Sequence, residues 1–213
     1  MLFLLVCIVL KSQDLPLPAP ILSAGWERIY IKDVGYFDLP PTMEVQSGKY
    51  KEFVDQSKRV KGYDATQLTA QQKGLNDFDE SGFERYARVM LETNIGKLDD
   101  YEELDFDISD FDTEEITELS AVFKEEVING FRGTGLKLIE WYPLKVEQIN
   151  GMSCIHIAYK RQLKTNPFVL VNIYMFFNND RTHTFTLSYR EAESSHWESD
   201  FNKILKSYRI TKH

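Results

Sequence analysis

Residues 144–190 constrain the fold more than any other stretch of this chain. They read as four strands in direct succession, over residues 144–149, 152–160, 168–177 and 182–190. Asn150-Gly151 joins the first two and is the strongest short hairpin signal, because a type I′ turn needs positive φ at both central residues. Lys164-Thr165-Asn166-Pro167 and Asn178-Asn179-Asp180-Arg181 are the polar breaks of the other two turns. Turns this short make successive neighbours antiparallel.

Upstream, residues 26–32 and 35–38 alternate as short strands around Asp33-Val34. Residues 43–46 and 50–56 pattern as a further pair across Ser47-Gly48. Residues 64–75 and 84–93 are better strand candidates, with the turn-rich 76–82 between them. A helix is expected over 113–129. Asp112 and Glu115 stand at capping-box spacing, and Gly130 supplies a stop. Ile116, Leu119, Phe123 and Val127 recur at helical spacing and should face the sheet. Residues 136–141 form another strand, broken at Pro143. A closing helix begins at Ser195, with Glu198 at capping-box spacing. Trp197, Phe201, Ile204, Leu205 and Tyr208 give it an i, i+4, i+7, i+8, i+11 core stripe. The fold class is therefore α+β, a mainly antiparallel sheet covered by helices.

Residues 2–10 are an uninterrupted apolar run. It is too short to span a bilayer but matches the h-region of a secretory signal, although the basic n-region is missing. A lipid anchor through Cys7 fits less well, because Val6 is bulky where a small residue is wanted. Pro16, Pro18 and Pro20 make an extended tether. The expected organisation is a signal peptide over 1–13, a tether over 14–24 and a single domain over 25–213. The mature protein is then exported, to periplasm or exterior, with no membrane span.

The 213 residues are enough for a sizeable core. A net charge of -8 and a pI near 5.1 argue against nucleic acid and against an anionic membrane surface. With Cys7 in the removed segment, Cys154 is the mature chain's one thiol, and no internal disulfide is expected. The most acidic stretch, residues 101–118, reads as a solvated loop running into a helix N-terminus.

Each candidate site has a plainer reading beside it. Cys154 and His156 share a strand face and are the residues to test for thiol or zinc chemistry. Across the Asn150-Gly151 turn, however, they should oppose Glu147 and Lys145. Asn172 should lie on the other side of His156, and His183 should pair further along, near Phe176. No third ligand converges, and core packing is the favoured reading. Asp77-Phe-Asp79-Glu-Ser81-Gly82 imitates half a calcium loop, but Arg88 occupies the twelfth position, where a bidentate Glu belongs. The half-match at Asp105 lacks the glycine and has Ile116 twelfth. Ser194-Ser195-His196 reads as a helix cap, and no serine sits in a G-x-S-x-G elbow. Lys160, Arg161, Lys164, Arg181 and Arg190 put positive charge at strand ends, as a solvated rim or a binding edge. Trp141, Tyr142, Tyr159, Tyr174 and Tyr189 suit cross-strand packing or a ligand platform. No catalytic residue, metal ligand or cofactor emerges.

The run 149–159 containing Asn150-Gly151, then 169–178, 184–190 and the 197–210 tail resemble the PsbP-like family. The phrases "INGMSCIHIAYK" and "HTFTLSYR" carry that likeness. It implies an α/β/α sandwich, a fold shared with a Ran-binding nuclear-import factor and with small exported bacterial proteins of unknown function. It also implies a non-catalytic accessory or binding module with no functional residue to carry over. The expected function is such an exported module for an unknown protein or small-molecule partner, as a monomer or weak dimer. The alternatives are a small-ligand carrier with an apolar pocket between sheet and helix, and a thiol enzyme using Cys154 and His156.

Overall fold

The computed structural model describes residues 18–52, 66–80, 82, 85–101 and 112–210. The signal reading of residues 1–13, the start of the tether and most of the Asp105 half-match lie outside the described residues. The strands are β1 (Glu27–Ile31), β2 (Gly35–Leu39), β3 (Met43–Val45), β4 (Thr66–Gln72), β5 (Ala87–Ile95), β6 (Leu136–Trp141), β7 (Lys145–Ile149), β8 (Met152–Leu163), β9 (Val169–Asn178), β10 (Arg181–Arg190) and β11 (Arg209–Ile210). The helices are α1 (Thr113–Phe131) and α2 (Ser194–Ser207).

The expected meander is present. An eight-stranded sheet runs β3-β4-β5-β10-β9-β8-β6, with β7 also paired to β8, and every pairing is antiparallel. Asn150 and Gly151 take φ of 55° and 80°, the double positive φ of a type I′ turn. A separate three-stranded sheet, β1-β2-β11, is closed by the chain's last strand. Gly35 is required there, since a Cβ at φ +150° would overlap the Arg209 carbonyl oxygen.

Residues on β8 and β9 alternate between two apolar faces. On one face Cys154, Tyr174 and Phe176 join Phe185, Leu187 and Tyr189 of β10. They pack with Phe37 and Leu39 of the small sheet and with the α2 stripe Trp197, Phe201, Ile204 and Leu205. Tyr208 closes this core, stacked on Phe185 at 4.6 Å and 5°. On the opposite face Ile155, Ile157, Tyr159 and Val171 meet Ile116, Leu119, Phe123 and Val127 of α1. The layers are thus α2 with the small sheet, the large sheet, and α1: an α+β arrangement.

Four local expectations fail, each for a visible reason. Residues 50–52 of the expected 50–56 strand are helical, with the Lys51 N–H closing onto the Ser47 carbonyl at 3.2 Å, and residues 53–56 lie outside the described residues. β3 pairs with β4 instead. The α1 capping box forms between Asp112 and Glu115, but Gly130 does not stop the helix. Phe131 adds one more residue as its ring packs edge-on against Tyr159, and the break comes at Gly133 and Gly135, both at positive φ. Ser195 and Glu198 form no box. α2 starts at Ser194 after a 3-10 turn, which puts Ser195 inside the first turn, and the Trp197 indole instead donates to Glu193 at 3.0 Å.

Asn150 does more than turn the chain. Its amide donates to the Leu205 and Tyr208 carbonyls at 3.0 and 2.7 Å, tying the hairpin to the end of α2. We expect Asn150→Ala to destabilise by about 2–3 kcal/mol, combining left-handed backbone cost with two lost hydrogen bonds. Asn150→Gly keeps the turn and should lose about 1 kcal/mol less. Urea unfolding distinguishes the two. Tyr208 presents the opposite case: its buried Oη has no hydrogen-bond partner among the described residues, and burial pushes the phenol well above its ordinary pKa. Tyr208→Phe should therefore keep the stack and raise stability by about 1 kcal/mol. A lower melting temperature in that variant would contradict this account.

Candidate functional site

Cys154 and His156 lie on one face of β8, about 7 Å apart along the strand. Cys154 pairs with Glu147 on one side and Phe176 on the other; His156 pairs with Lys145 and Tyr174. The Cys154 side chain is fully buried, and burial, then the charge of Glu147, pushes its thiol up to about 12. The His156 ring is occupied from every side. Its Nδ1 donates to Glu147 Oε1 at 3.2 Å, Nε2 lies 3.1 Å from Asn172 Oδ1, and the ring stacks on Tyr174 at 4.3 Å. His183 and Cys154 both pair with Phe176, from opposite sides, so β9 lies between them and holds them about 10 Å apart across the sheet. A nucleophilic pair needs a thiolate with an imidazole nitrogen aimed at it; this arrangement supplies neither. Among the described residues no group of three or more His, Cys, Asp or Glu side chains can hold a metal ion.

Asp77 and Phe78 lie in the turn after β4, pinned by Phe78 N–H to Leu75 O at 3.0 Å and Asp79 N–H to Gly74 O at 2.9 Å. Arg88 is in β5, not in a helix leaving a calcium loop. The cationic strand ends are mostly neutralised locally. Lys160 reaches Glu191 at 2.7 Å and Glu140 at 3.0 Å, and these carboxylates hold its ammonium above the usual lysine range. Arg181 pairs with Asp180 at 2.7 Å and Arg190 with Glu193 at 3.8 Å. Arg161 stands apart, donating to the Tyr86 phenol at 3.1 Å.

One open feature among the described residues is a groove of about 540 Å³ between α1 and β6, the last strand in the order of the large sheet. Lys124, Ile128, Phe131 and Arg132 come from the helix and its cap, and residues 136–141 from the strand. Trp141 fixes the wall: it stacks on Tyr159 at 6.0 Å and donates to Ser120 Oγ of α1 at 2.9 Å. The register shifts between Leu138 and Glu140, and Ile139 at that bulge is 43% exposed. Ile128 is 42% exposed, and no residue of α1 is fully buried. Sequence reasoning read one apolar stripe on this helix. A second stripe, mixed cationic and apolar, of Lys124, Ile128, Phe131 and Arg132 at i, i+4, i+7 and i+8 was the available signal for the groove. Trp141 and Tyr159 are packing residues that shape it.

No family model matches the sequence, and neither does any curated protein. Among solved structures the chain is similar to cyanobacterial PsbP (CyanoP) from Synechocystis sp. PCC 6803. The TM-score is 0.53 at 15% identity, covering 90% of this chain and 95% of that one. A Pseudomonas aeruginosa protein of unknown function matches at TM-score 0.42 and 10% identity, over 88% of this chain and 99% of the other. No helix among the described residues is long and apolar enough to cross a membrane. At 15% identity the first likeness speaks for architecture alone, and on that architecture the chain has the PsbP-like fold.

Proposed function

We propose that this chain is an exported, non-catalytic binding module that engages its partner through the groove between α1 and β6. The apolar run at 2–10 and the proline-rich 14–24 support export and tethering of a single domain over 25–213. The groove itself carries the binding reading: an apolar wall bordered by Lys124, Arg132 and Lys137, with the lining carboxylate of Glu140 held by Lys160, along the terminal strand of the sheet among the described residues. On a chain of net charge -8, that concentration of cations favours a partner with apolar side chains and carboxylates. A small-ligand carrier is the second reading, favoured by a volume within the range of ligand clefts.

Capture from the exported protein fraction tests the first reading, with wild type beside Ile128→Asp and Lys137→Glu. Each variant should lose the partner while keeping the wild-type melting temperature. Equal capture by all three would remove the groove from the account. For the second reading, native mass spectrometry should show a small molecule leaving with the Ile128→Asp change. Iodoacetamide tests the non-catalytic assignment separately. With its thiol pushed up to about 12 and sealed in the core, Cys154 should stay unlabelled at neutral pH until the protein is unfolded. Rapid labelling of the native chain would overturn that assignment.

A further inference from the structure

The face of the large sheet that carries α1 also carries two arginines that have no carboxylate partner among the described residues. Arg88 on β5 pairs with Ser188 of β10, and Arg161 on β8 pairs with Val169 of β9. Tyr86, just before β5, lies between them. Its Oη accepts from Arg161 Nη2 at 3.1 Å and lies 3.4 Å from Ser188 Oγ. The Arg88 guanidinium sits over the Tyr86 ring at 5.5 Å, and its Nη2 donates to Tyr50 Oη at 3.1 Å. Two guanidiniums, two phenols and a serine therefore form one cluster without a carboxylate among the described residues.

That is an unusual way to leave two charges. Guanidiniums withdrawn from water are normally matched by carboxylates, because unpaired burial costs more than either neutral contact returns. Here both Nε–H groups are buried and have no acceptor. The other strand-end cations, Lys160, Arg181 and Arg190, all have carboxylates. The field of the pair is felt at Tyr86. Burial alone would push that phenol up, yet Arg161 and then Arg88 outweigh it and hold the group below its ordinary value. Both arginines and Tyr86 are only part-buried, so the cluster reaches solvent.

We propose that Arg88 and Arg161, with the Tyr50 hydroxyl, bind a phosphate group, as inorganic phosphate or as a phosphate monoester. A single guanidinium fork saturates a planar carboxylate. The remaining outward N–H groups of two guanidiniums on different strands, plus a hydroxyl, match an anion with three or more oxygens. Their combined charge also matches the charge of about -1.5 to -2 that a phosphate monoester carries near neutral pH. The site is separate from the α1–β6 groove and does not depend on it.

The test titrates the full chain at fixed ionic strength with inorganic phosphate, O-phosphoserine or acetate, following the melting temperature. Phosphate or phosphoserine should raise it saturably, and acetate should not. The tighter of the two binders identifies free phosphate or a monoester as the ligand. Arg88→Gln and Arg161→Gln should each weaken binding by roughly tenfold or more, as expected for one charge-assisted hydrogen bond. A second readout needs no arginine variant: bound phosphate offsets the guanidinium field, so ultraviolet titration of the Tyr86 phenol should shift upward, and Tyr86→Phe should remove that signal. The proposal fails if neither phosphate compound binds saturably at millimolar concentration. It also fails if acetate acts equally, if folded arginine variants bind like wild type, or if phosphate leaves the Tyr86 titration unmoved.

Discussion

Apolar side chains on both faces of β8 and β9 are the constraint on which this architecture depends. Cys154, Tyr174 and Phe176 point one way; Ile155, Ile157, Tyr159, Val171, Ile173 and Met175 point the other. An antiparallel sheet with one wet face would alternate apolar with polar residues. These strands do not, so each face must be roofed, and a one-residue slip in register would exchange the contents of the two cores. The turn at Asn150-Gly151 fixes that register. Its bonds to the end of α2 make the turn and the first roof a single device.

The two roofs are not equivalent. α2 seals its face with Trp197, Phe201 and Ile204 almost wholly withdrawn from water, and the small sheet extends the cover. α1 presents Ile116, Leu119, Phe123 and Val127 to the other face but buries none of its residues fully. Aromatic stacking and the Trp141–Ser120 bond hold it rather than a closed core. The face under α2 therefore supplies stability. The face under α1 is where a bound group meets less resistance from packing, and both the groove and the arginine cluster are on that face.

The meander and both helices were legible because their signals are local: an Asn-Gly turn, polar breaks, and 3.6-residue stripes. The register of Cys154 and His156 against Glu147 and Lys145 was legible for the same reason, since it follows from one turn; across the longer β8–β9 turn Tyr174 pairs with His156, and Asn172 reaches it only diagonally. What escaped depended on distant pairing. β11 forms because Tyr208 is drawn into the core and carries Arg209 and Ile210 alongside β2, and no local pattern announces a strand of that length. Residues 50–56 pattern like a strand, but 50–52 are taken into a helical turn closed by a backbone bond from Lys51 to Ser47. Arg88 read only as an obstacle to calcium, and its proximity to Arg161 requires β5, β10, β9 and β8 to be laid side by side.

The second face also divides between an apolar half under α1 and a polar half on β4, β5 and β10. In the polar half Thr69, Gln71, Thr186 and Ser188 are buried. Polar groups there are tolerable only when their bonds are complete. Near β3 and β4 they are well satisfied: Gln46 donates to Gln71, Gln71 to Asn76, and Asn76 to the Val45 carbonyl. A few residues away along the same face, the cluster around Tyr86 leaves both arginine Nε–H groups without acceptors. One sheet face holds a closed, buried network and an open, part-buried one. The difference lies in how many buried donors each network leaves without an acceptor among the described residues: none in the Gln46–Gln71–Asn76 chain, and two in the arginine cluster.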